Sequence, residues 1–165
     1  MSSPRPCGVP VVHPFDDAES WRLLALAPLG RVGLTDGALP AIMPVHFTVR
    51  DGEVVFASLP DVKLRSAERG DILVLQVDHY DTETDEGWSV NAVGPARVVH
   101  DPAEVDALHA RAFTPWARDQ DVVYVAIRPA VLRGRRLSRS AAATDGASPA
   151  AGATPLGGVD GTSSG

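Results

Sequence analysis

Two Asp-Gly pairs constrain the fold of this chain more than any other feature, because each predicts a tight hairpin between neighbouring strands. Asp36-Gly37 follows the strand-like run Arg31 to Leu34 and precedes Leu39 to Arg50. Asp51-Gly52 then separates that second strand from Val54 to Phe56. Aspartate and glycine accept the positive φ angles that a two-residue hairpin turn requires. Three short strands joined in this way indicate an antiparallel meander and argue against the alternating units of a parallel sheet.

The rest of the chain adds further strands and a few helices to this meander. Helix starts are predicted where Asp16 can cap a first helix, at Ser58 to Asp61, and at Asp101, which Pro102 follows in the first helical position. Four more strands are predicted from apolar runs: Ile72 to Val77, Gly87 to His100, Val122 to Ile127 and Val131 to Leu137. Asp78 to Glu86 is interpreted as an acidic loop. The pattern as a whole predicts a mainly β domain with peripheral helices.

Two prolines predict irregular positions within the strands. Pro44 lies inside the second strand of the meander, where proline cannot donate a ladder hydrogen bond. We therefore expect an edge, a bulge or a barrel corner at that residue. Gly94 and Pro95 interrupt the long strand Gly87 to His100 and predict a bend there.

Length and composition predict one folded domain with two unstructured ends. The chain has 165 residues, of which 44% are hydrophobic and 22% charged, a balance typical of a globular protein. Residues 1–14 are rich in proline and are interpreted as a flexible N-terminal arm. Residues 140–165 contain mainly small and polar residues and are predicted to be a disordered tail. The folded domain is therefore expected to span residues 15–139.

Charge and motif content exclude several functional classes. The formal net charge of -6 argues against a general nucleic-acid-binding protein. No apolar run approaches the roughly 20 residues that a membrane-spanning helix requires, and no secretory signal is recognisable, so we expect a cytoplasmic protein. The five histidines lie in separate predicted elements without metal-binding spacing, so no metal site is expected. The single cysteine, Cys7, excludes an internal disulfide, and no nucleophile motif of a hydrolase is present.

A plausible anion site follows the strand Val54 to Phe56. Ser58, Lys63 and Arg65 would add a hydroxyl and two cations near the start of a helix, where free backbone N–H groups favour a phosphate. No glycine-rich phosphate fingerprint accompanies them. The alternative is that the two cations are solvated surface charges and that Ser58 is an ordinary turn residue.

The order of several segments resembles a known family. These segments are LLALAPLGRVGL, LPAIMPVHFTV, GEVVFASLPDVKL, ILVLQVDHYD, GWSVNAVGPARVV and RPAVLRGRRL. In order and spacing they resemble the pyridoxamine 5'-phosphate oxidase-like family over roughly Phe15 to Arg139. The resemblance implies a six-stranded antiparallel split barrel of the FMN-binding type. It also implies a homodimer that holds the flavin at the subunit interface.

The resemblance implies roles for particular residues. Ser58, Lys63 and, less directly, Arg65 correspond to the positions that bind the flavin phosphate. The ring would pack along the segment Met43, Pro44, Val45 and His46, although a histidine in a strand also fits simple packing against its neighbours. Further contacts are expected from Trp88, Ser89 and Arg136. A core or interface role is an equal alternative for Trp88, and a solvated strand edge is the alternative for Arg136.

The expected function is that of an FMN-dependent oxidoreductase that acts on a small organic substrate, with NADPH or NADH as a candidate electron donor. No catalytic side chain is predicted, because the flavin performs the chemistry. The chain lacks the fuller arginine-rich phosphate motif of the vitamin-processing enzymes, which argues against oxidation of pyridoxamine phosphate itself. The alternative is a non-catalytic carrier of FMN, haem or 8-hydroxy-5-deazaflavin. High Ala, Gly, Pro and Arg usage suggests a bacterial source.

Overall fold

A computed structural model of the chain describes residues 10–111 and 122–139. Within these residues the backbone forms eight strands and three helices. In chain order they are β1 (Pro10–Pro14), α1 (Asp17–Leu26), β2 (Leu29–Asp36), β3 (Leu39–Arg50), β4 (Glu53–Ser58), α2 (Val62–Glu68), β5 (Ile72–Asp81), β6 (Glu86–Val98), α3 (Pro102–Arg111), β7 (Val123–Ile127) and β8 (Val131–Arg139).

The strands form a closed antiparallel barrel with a two-strand extension. Their hydrogen-bonded order is β1-β8-β6-β5-β2-β3-β4-β7, and an additional pairing of β6 with β7 closes the barrel from β2 to β7. Strands β8 and β1 extend the sheet outward from β6. The predicted mainly β fold, a six-stranded antiparallel split barrel with peripheral helices, is confirmed.

The barrel closes because its two longest strands change partners partway along. Strand β3 pairs with β2 up to His46 and with β4 from Phe47 onward, just after Pro44. Strand β6 pairs with β5 up to Pro95 and with β7 from Ala96 onward. Both changes fall beside prolines, in agreement with the predicted corners.

The barrel interior is filled by aliphatic and aromatic side chains that point inward from every second residue of its strands. Completely buried side chains include Val32, Leu75, Val90 and Phe56, which belong to one continuous core cluster. Leu24 of α1 is also completely buried in this cluster, so the helix covers the core and is not an independent element. Residues that alternate with these point outward from the barrel.

Three sequence predictions differ from the structure. The positive-φ pair of the first hairpin is Gly37 and Ala38, because Asp36 still pairs with Leu39 at the end of β2. The acidic loop predicted from Asp78 begins later, because β5 continues to Asp81 and pairs there with Glu86.

The third difference concerns the predicted N-terminal arm. Its last five residues, Pro10–Pro14, form β1 and pair with β8 from Arg135 to Arg139. The earlier part of the arm and the predicted tail at residues 140–165 lie outside the described residues. None of the helices that the structure describes is long and apolar enough to cross a membrane.

Candidate functional site

A cavity of about 300 Å³ lies between β3, the end of β4 and the start of α2. A volume of this size is at the lower end of the range for small-molecule sites. The lining residues are Leu29, Pro44, Val45, His46, Ala57, Ser58, Leu59, Asp61 and Lys63. The structure therefore brings together five residues that the sequence assigned to one site: Pro44, Val45, His46, Ser58 and Lys63. We call this space the β3–α2 cavity.

Ser58 and Asp61 fix the turn that forms one wall of the β3–α2 cavity. Ser58 ends β4 and is completely buried. Its hydroxyl lies 2.8 Å from the carbonyl oxygen of Leu59 and 3.0 Å from Oδ1 of Asp61, both of which are acceptors. Asp61 is the N-cap of α2, and its Oδ1 accepts a hydrogen bond of 2.9 Å from the backbone N–H of Lys63.

Lys63 turns its ammonium group toward the cavity wall and away from solvent. The residue is only 9% exposed, which is unusual for lysine. Its Nζ forms an ion pair with the carboxylate of Asp61 and lies 3.8 Å from Sδ of Met43. Burial alone would raise the pKa of Asp61, but the hydrogen bonds from Lys63 and Ser58 bring that pKa below its usual range.

The opposite wall is a short segment of β3. Val45 is buried, Pro44 is exposed and His46 is half-buried. Nδ1 of His46 lies 3.2 Å from the carbonyl oxygen of Pro28, so a ring with its proton on Nδ1 can donate to that oxygen. His46 therefore has a backbone partner and also lines the cavity, and its contact with a ligand stays a prediction.

The remaining predicted residues lie elsewhere on the chain. Arg65 is exposed on α2 and does not line the β3–α2 cavity. Trp88 and Ser89 line a second cavity of about 390 Å³ on β5, β6 and β8, where Nε of Arg135 donates to Oγ of Ser89 over 3.2 Å. Arg136 lines a third cavity of about 350 Å³ and donates to Glu86 over 2.9 Å. Within one chain, the predicted residues therefore lie partly in the β3–α2 cavity and partly in the second and third cavities, which share Trp88.

Two residues near the β3–α2 cavity were missed by the sequence analysis. Asp61 carries the only carboxylate among the lining residues that the structure describes, yet its position before a helix indicated nothing beyond a cap. Arg31 pairs with Asp78 over 2.8 Å and lies opposite Pro44 in the register of β2 with β3. Pro44 lines the β3–α2 cavity and Asp78 lines the second cavity, so Arg31 lies between residues of the two cavities. No sequence signal marked Arg31, because its location depends on long-range strand pairing.

Metal ligands do not converge in the part of the chain that the structure describes. Across residues 10–111 and 122–139, no group of three His, Cys, Asp or Glu side chains is close enough to hold an ion. The polar groups of the β3–α2 cavity are instead a hydroxyl, an ammonium, an imidazole and a carboxylate. The first three can donate hydrogen bonds to an organic or phosphate ligand.

Comparison with known proteins identifies relatives of the whole folded region. The chain is 37% identical to the uncharacterised protein Rv0080 of Mycobacterium tuberculosis over 128 residues, which is 74% of this chain and 84% of that protein. Its structure also resembles that of the FAD-binding protein from Mycobacterium smegmatis. That match has 28% identity and a TM-score of 0.58, and it covers 76% of this chain and 98% of the other.

A further structural match supports the fold alone, because its sequence identity is only 18%. It is an FAD-binding protein from Mesorhizobium loti, with a TM-score of 0.67, and the match covers 79% of this chain and 100% of that one. The two mycobacterial matches are bacterial, which agrees with the source that the composition suggested. A sequence model of the family described as pyridoxamine 5'-phosphate oxidase matches residues 16–136. The chain therefore belongs to the pyridoxamine 5'-phosphate oxidase family.

Proposed function

We propose that this protein is a flavin-dependent oxidoreductase that holds the phosphate of FMN in the β3–α2 cavity. The observation that carries the proposal is the convergence of Pro44, Val45, His46, Ser58 and Lys63 on one cavity. Lys63 supplies the cation and Ser58 the hydroxyl that a phosphate needs. The similarity to an FAD-binding protein at 28% identity supports a flavin as the ligand.

The flavin ring is proposed to lie along β3 beside Pro44. In this part of β3 one edge is paired with β2, whereas pairing with β4 begins only at Phe47. Backbone groups on the other edge before Phe47 are therefore free of a neighbouring strand among the described residues. Such groups can hydrogen-bond the pyrimidine part of the ring, and the side chains of Pro44 and Val45 give it an apolar surface.

A homodimer is proposed to complete the site. Strand registers align an outward-facing apolar row across five strands, formed by Ile42, Gly33, Val74, Val93 and Val131. Ile42 is 72% exposed and Val131 is 40% exposed, so water reaches both ends of the row. An apolar row that spans a sheet face is typical of an interface between subunits.

The dimer also explains why the predicted residues are divided within one chain. Ser89 lies on the outer face against Arg135, whereas Trp88 is half-buried against the core cluster, and both line the second cavity, away from Ser58 and Lys63. In a two-fold dimer the second cavity of one subunit can face the β3–α2 cavity of its partner. We propose that Trp88 and Ser89 contact the flavin in that way, and that Arg136 lies at the edge of the shared site.

The chain itself supplies binding and electrostatics. The flavin, when bound, accepts and donates the two electrons or hydride of the reaction. Beyond the Lys63 and Asp61 pair, His46 is the only titratable side chain among the described residues that line the β3–α2 cavity. This donor set suits orientation of a cofactor more than acid-base catalysis, so no catalytic residue is assigned.

The ultraviolet-visible spectrum of the purified protein, before and after incubation with FMN and desalting, tests the proposal. Two retained flavin bands, together with steady-state oxidation of NADPH or NADH in the presence of an acceptor, are the expected result. Retained flavin without turnover would instead support a carrier. A sharp Soret band would indicate haem, and a single band in the violet would indicate 8-hydroxy-5-deazaflavin.

A further inference from the structure

We propose that the second cavity binds the organic substrate of this protein, and that this substrate is a flat aromatic carboxylate held by Arg135. The inference rests on the proposed flavin function, because the second cavity of one subunit is proposed to face the flavin of its partner. A ligand in this cavity would therefore lie beside the ring that performs the chemistry.

An apolar row of residues crosses the second cavity. The strand registers place Tyr80 of β5, Gly87 of β6, Leu137 of β8 and Val12 of β1 side by side on the same face of the sheet. All four residues line the cavity, and the three that have side chains are exposed. The row therefore offers a ligand an apolar surface that the described part of the chain leaves uncovered.

Aromatic rings form part of the cavity wall. The Tyr80 ring lies against Gly87, where an added Cβ would be only 3.0 Å from Cδ2 of that ring. The rings of His79 and Trp88 also line the cavity, with centroids 6.3 Å apart and planes inclined by 35°. Aromatic ligands pack favourably against such rings in offset or edge-to-face arrangements. A flat aromatic body is therefore the ligand shape that this wall fits best.

A polar row lies next to the apolar row on the same face of the sheet. It contains Asp78 of β5, Ser89 of β6 and Arg135 of β8, each two residues away from a member of the apolar row. Asp78 forms an ion pair with Arg31 over 2.8 Å, so its charge is already balanced. Nε of Arg135 donates to Oγ of Ser89 over 3.2 Å, and this partner is neutral. Arg135 therefore carries the charge that remains unbalanced in the polar row.

Arg135 differs in this respect from two other arginines of β8. Arg136 pairs with Glu86 over 2.9 Å, and Arg139 pairs with Asp85 over 2.7 Å. Arg135 forms no ion pair with any carboxylate that the structure describes. Its side chain is exposed and lines the second cavity. An anionic group of a ligand would therefore find a cation here that has no competing carboxylate.

The geometry of Arg135 favours a carboxylate over other anions. Because Nε donates to Ser89, the two Nη nitrogens remain for a ligand, and they match the two oxygens of a carboxylate. Arg135 and Arg31 are positive and Asp78 is negative, so one carboxylate balances the net charge of this group. A phosphate monoester would exceed it, with a charge of roughly -1.5 to -2 at pH 7. Two residues of a strand span about 7 Å, so a carboxylate on Arg135 leaves the attached ring over the apolar row.

Three probes that share one ring system separate the aromatic and anionic parts of the ligand. We would titrate the full-length protein, after incubation with FMN, with naphthoate, naphthamide and naphthyl phosphate by isothermal titration calorimetry. Naphthoate should bind at least about tenfold more tightly than naphthamide, which has the same ring but no charge. It should also bind more tightly than naphthyl phosphate, whose second charge the cavity does not balance.

Arg135→Met tests the residue that is assigned to the carboxylate. Methionine keeps an apolar stem and removes the charge, so naphthoate should bind about tenfold more weakly, with the affinity of naphthamide. Naphthamide should bind this variant and wild type within about a factor of two. Arg135→Lys keeps the charge but loses the pair of Nη donors, so its affinity for naphthoate should lie between those of wild type and Arg135→Met.

Arg133→Met is the matched control. Arg133 is exposed and lies on the same face of β8, two residues before Arg135, but it does not line the second cavity. This variant should bind naphthoate within about twofold of wild type.

The outcomes separate this inference from the proposed function. Naphthoate binding that Arg135→Met weakens and Arg133→Met preserves supports the inference. If the protein retains FMN after desalting but naphthoate binds wild type and Arg135→Met equally, or no more tightly than naphthamide, the inference is wrong and the flavin function stands. Tighter binding of naphthyl phosphate than of naphthoate would overturn the carboxylate assignment. If no FMN is retained while naphthoate still binds through Arg135, the proposed function and the substrate role fail, and only the Arg135 binding site stands.

Discussion

Glu53 of β4 and Arg97 of β6 form a salt bridge in which Oε2 and Nη2 lie 2.5 Å apart, at the end of the barrel where β7 joins the two strands. The Glu53 side chain is only 5% exposed, and it also accepts from Nε of Arg128 over 3.1 Å. Arg97 reaches Glu104 of α3 over 3.0 Å. One buried carboxylate thus joins β4 to β6 and to the segment after β7, and through Arg97 it holds α3.

Glu53→Gln should lower the free energy of unfolding by about 2 kcal/mol, because it removes the charge that Arg97 and Arg128 share. We expect less than the loss for a fully buried pair, since both arginines are partly exposed and stay solvated without their partner. Urea denaturation measures the change. Glu19→Gln, which breaks an exposed pair with Arg22, is the matched control and should leave the free energy of unfolding close to that of wild type.

The same carboxylate should make stability depend on pH. Hydrogen bonds from Arg97 hold the pKa of Glu53 below its usual range, although burial opposes that effect. A lowered folded-state pKa stabilises the protein above the unfolded-state value of about 4.3, and this contribution disappears as the pH falls through the folded-state pKa. The stability difference between wild type and Glu53→Gln should therefore shrink on acidification below about pH 4. A difference that stays constant from pH 7 to pH 3 would contradict this assignment.

Gly94→Ala should be strongly destabilising because β6 passes close to the backbone of the β7–β8 connection. A Cβ at Gly94 would lie 1.9 Å from the carbonyl oxygen of Arg128 and 3.0 Å from the backbone nitrogen of Ala130. We expect a loss of about 3 kcal/mol or more, measured by thermal or urea unfolding. In Gly33→Ala the new Cβ meets only a side-chain methyl of Val74, at 2.7 Å, so its loss should be clearly smaller. Equal losses in the two variants would contradict the close approach at Gly94.

Ile42→Glu tests the proposed dimer. Ile42 lies at one end of the outward apolar row, and a glutamate there would bring charge into the interface. We expect wild type to sediment as a dimer and Ile42→Glu as a monomer with weakened flavin binding. Leu26→Glu is the control, because Leu26 is 68% exposed at the end of α1 and does not belong to the row. A monomeric wild type, or an Ile42→Glu variant that stays dimeric, would contradict the proposed interface.

Local chemistry explains which parts of the fold could be predicted from the sequence. The turn at Asp51-Gly52 was correct because both residues adopt the positive φ angles that their types favour. The end of β5 was missed because Asp78, His79 and Tyr80 are exposed, so no apolar alternation marks the strand. Long-range pairing with β6 extends it to Asp81, and a local pattern contains no signal of that pairing.

The candidate site likewise has one part that local sequence could predict and another part that depends on long-range strand pairing. Ser58 and Lys63 are near in sequence and share one turn, so their convergence could be predicted locally. The locations of Trp88 and Ser89 depend on the pairing of β6 with β5 and β8, which no local spacing reveals. The pairing of Lys63 with Asp61 was also missed, because an aspartate before a helix has the same sequence signature whether or not it binds a buried ammonium.

The affinity of the protein for FMN relative to riboflavin, compared between Lys63→Met and Arg65→Met, tests the central claim most directly. Methionine keeps the apolar stem of either side chain and removes its charge. We predict that Lys63→Met weakens FMN binding at least about tenfold and leaves riboflavin binding within about twofold, because only the phosphate contacts the ammonium. Arg65→Met should resemble wild type, since Arg65 does not line the cavity. Unchanged FMN affinity in Lys63→Met would contradict the assignment of the β3–α2 cavity as the phosphate site.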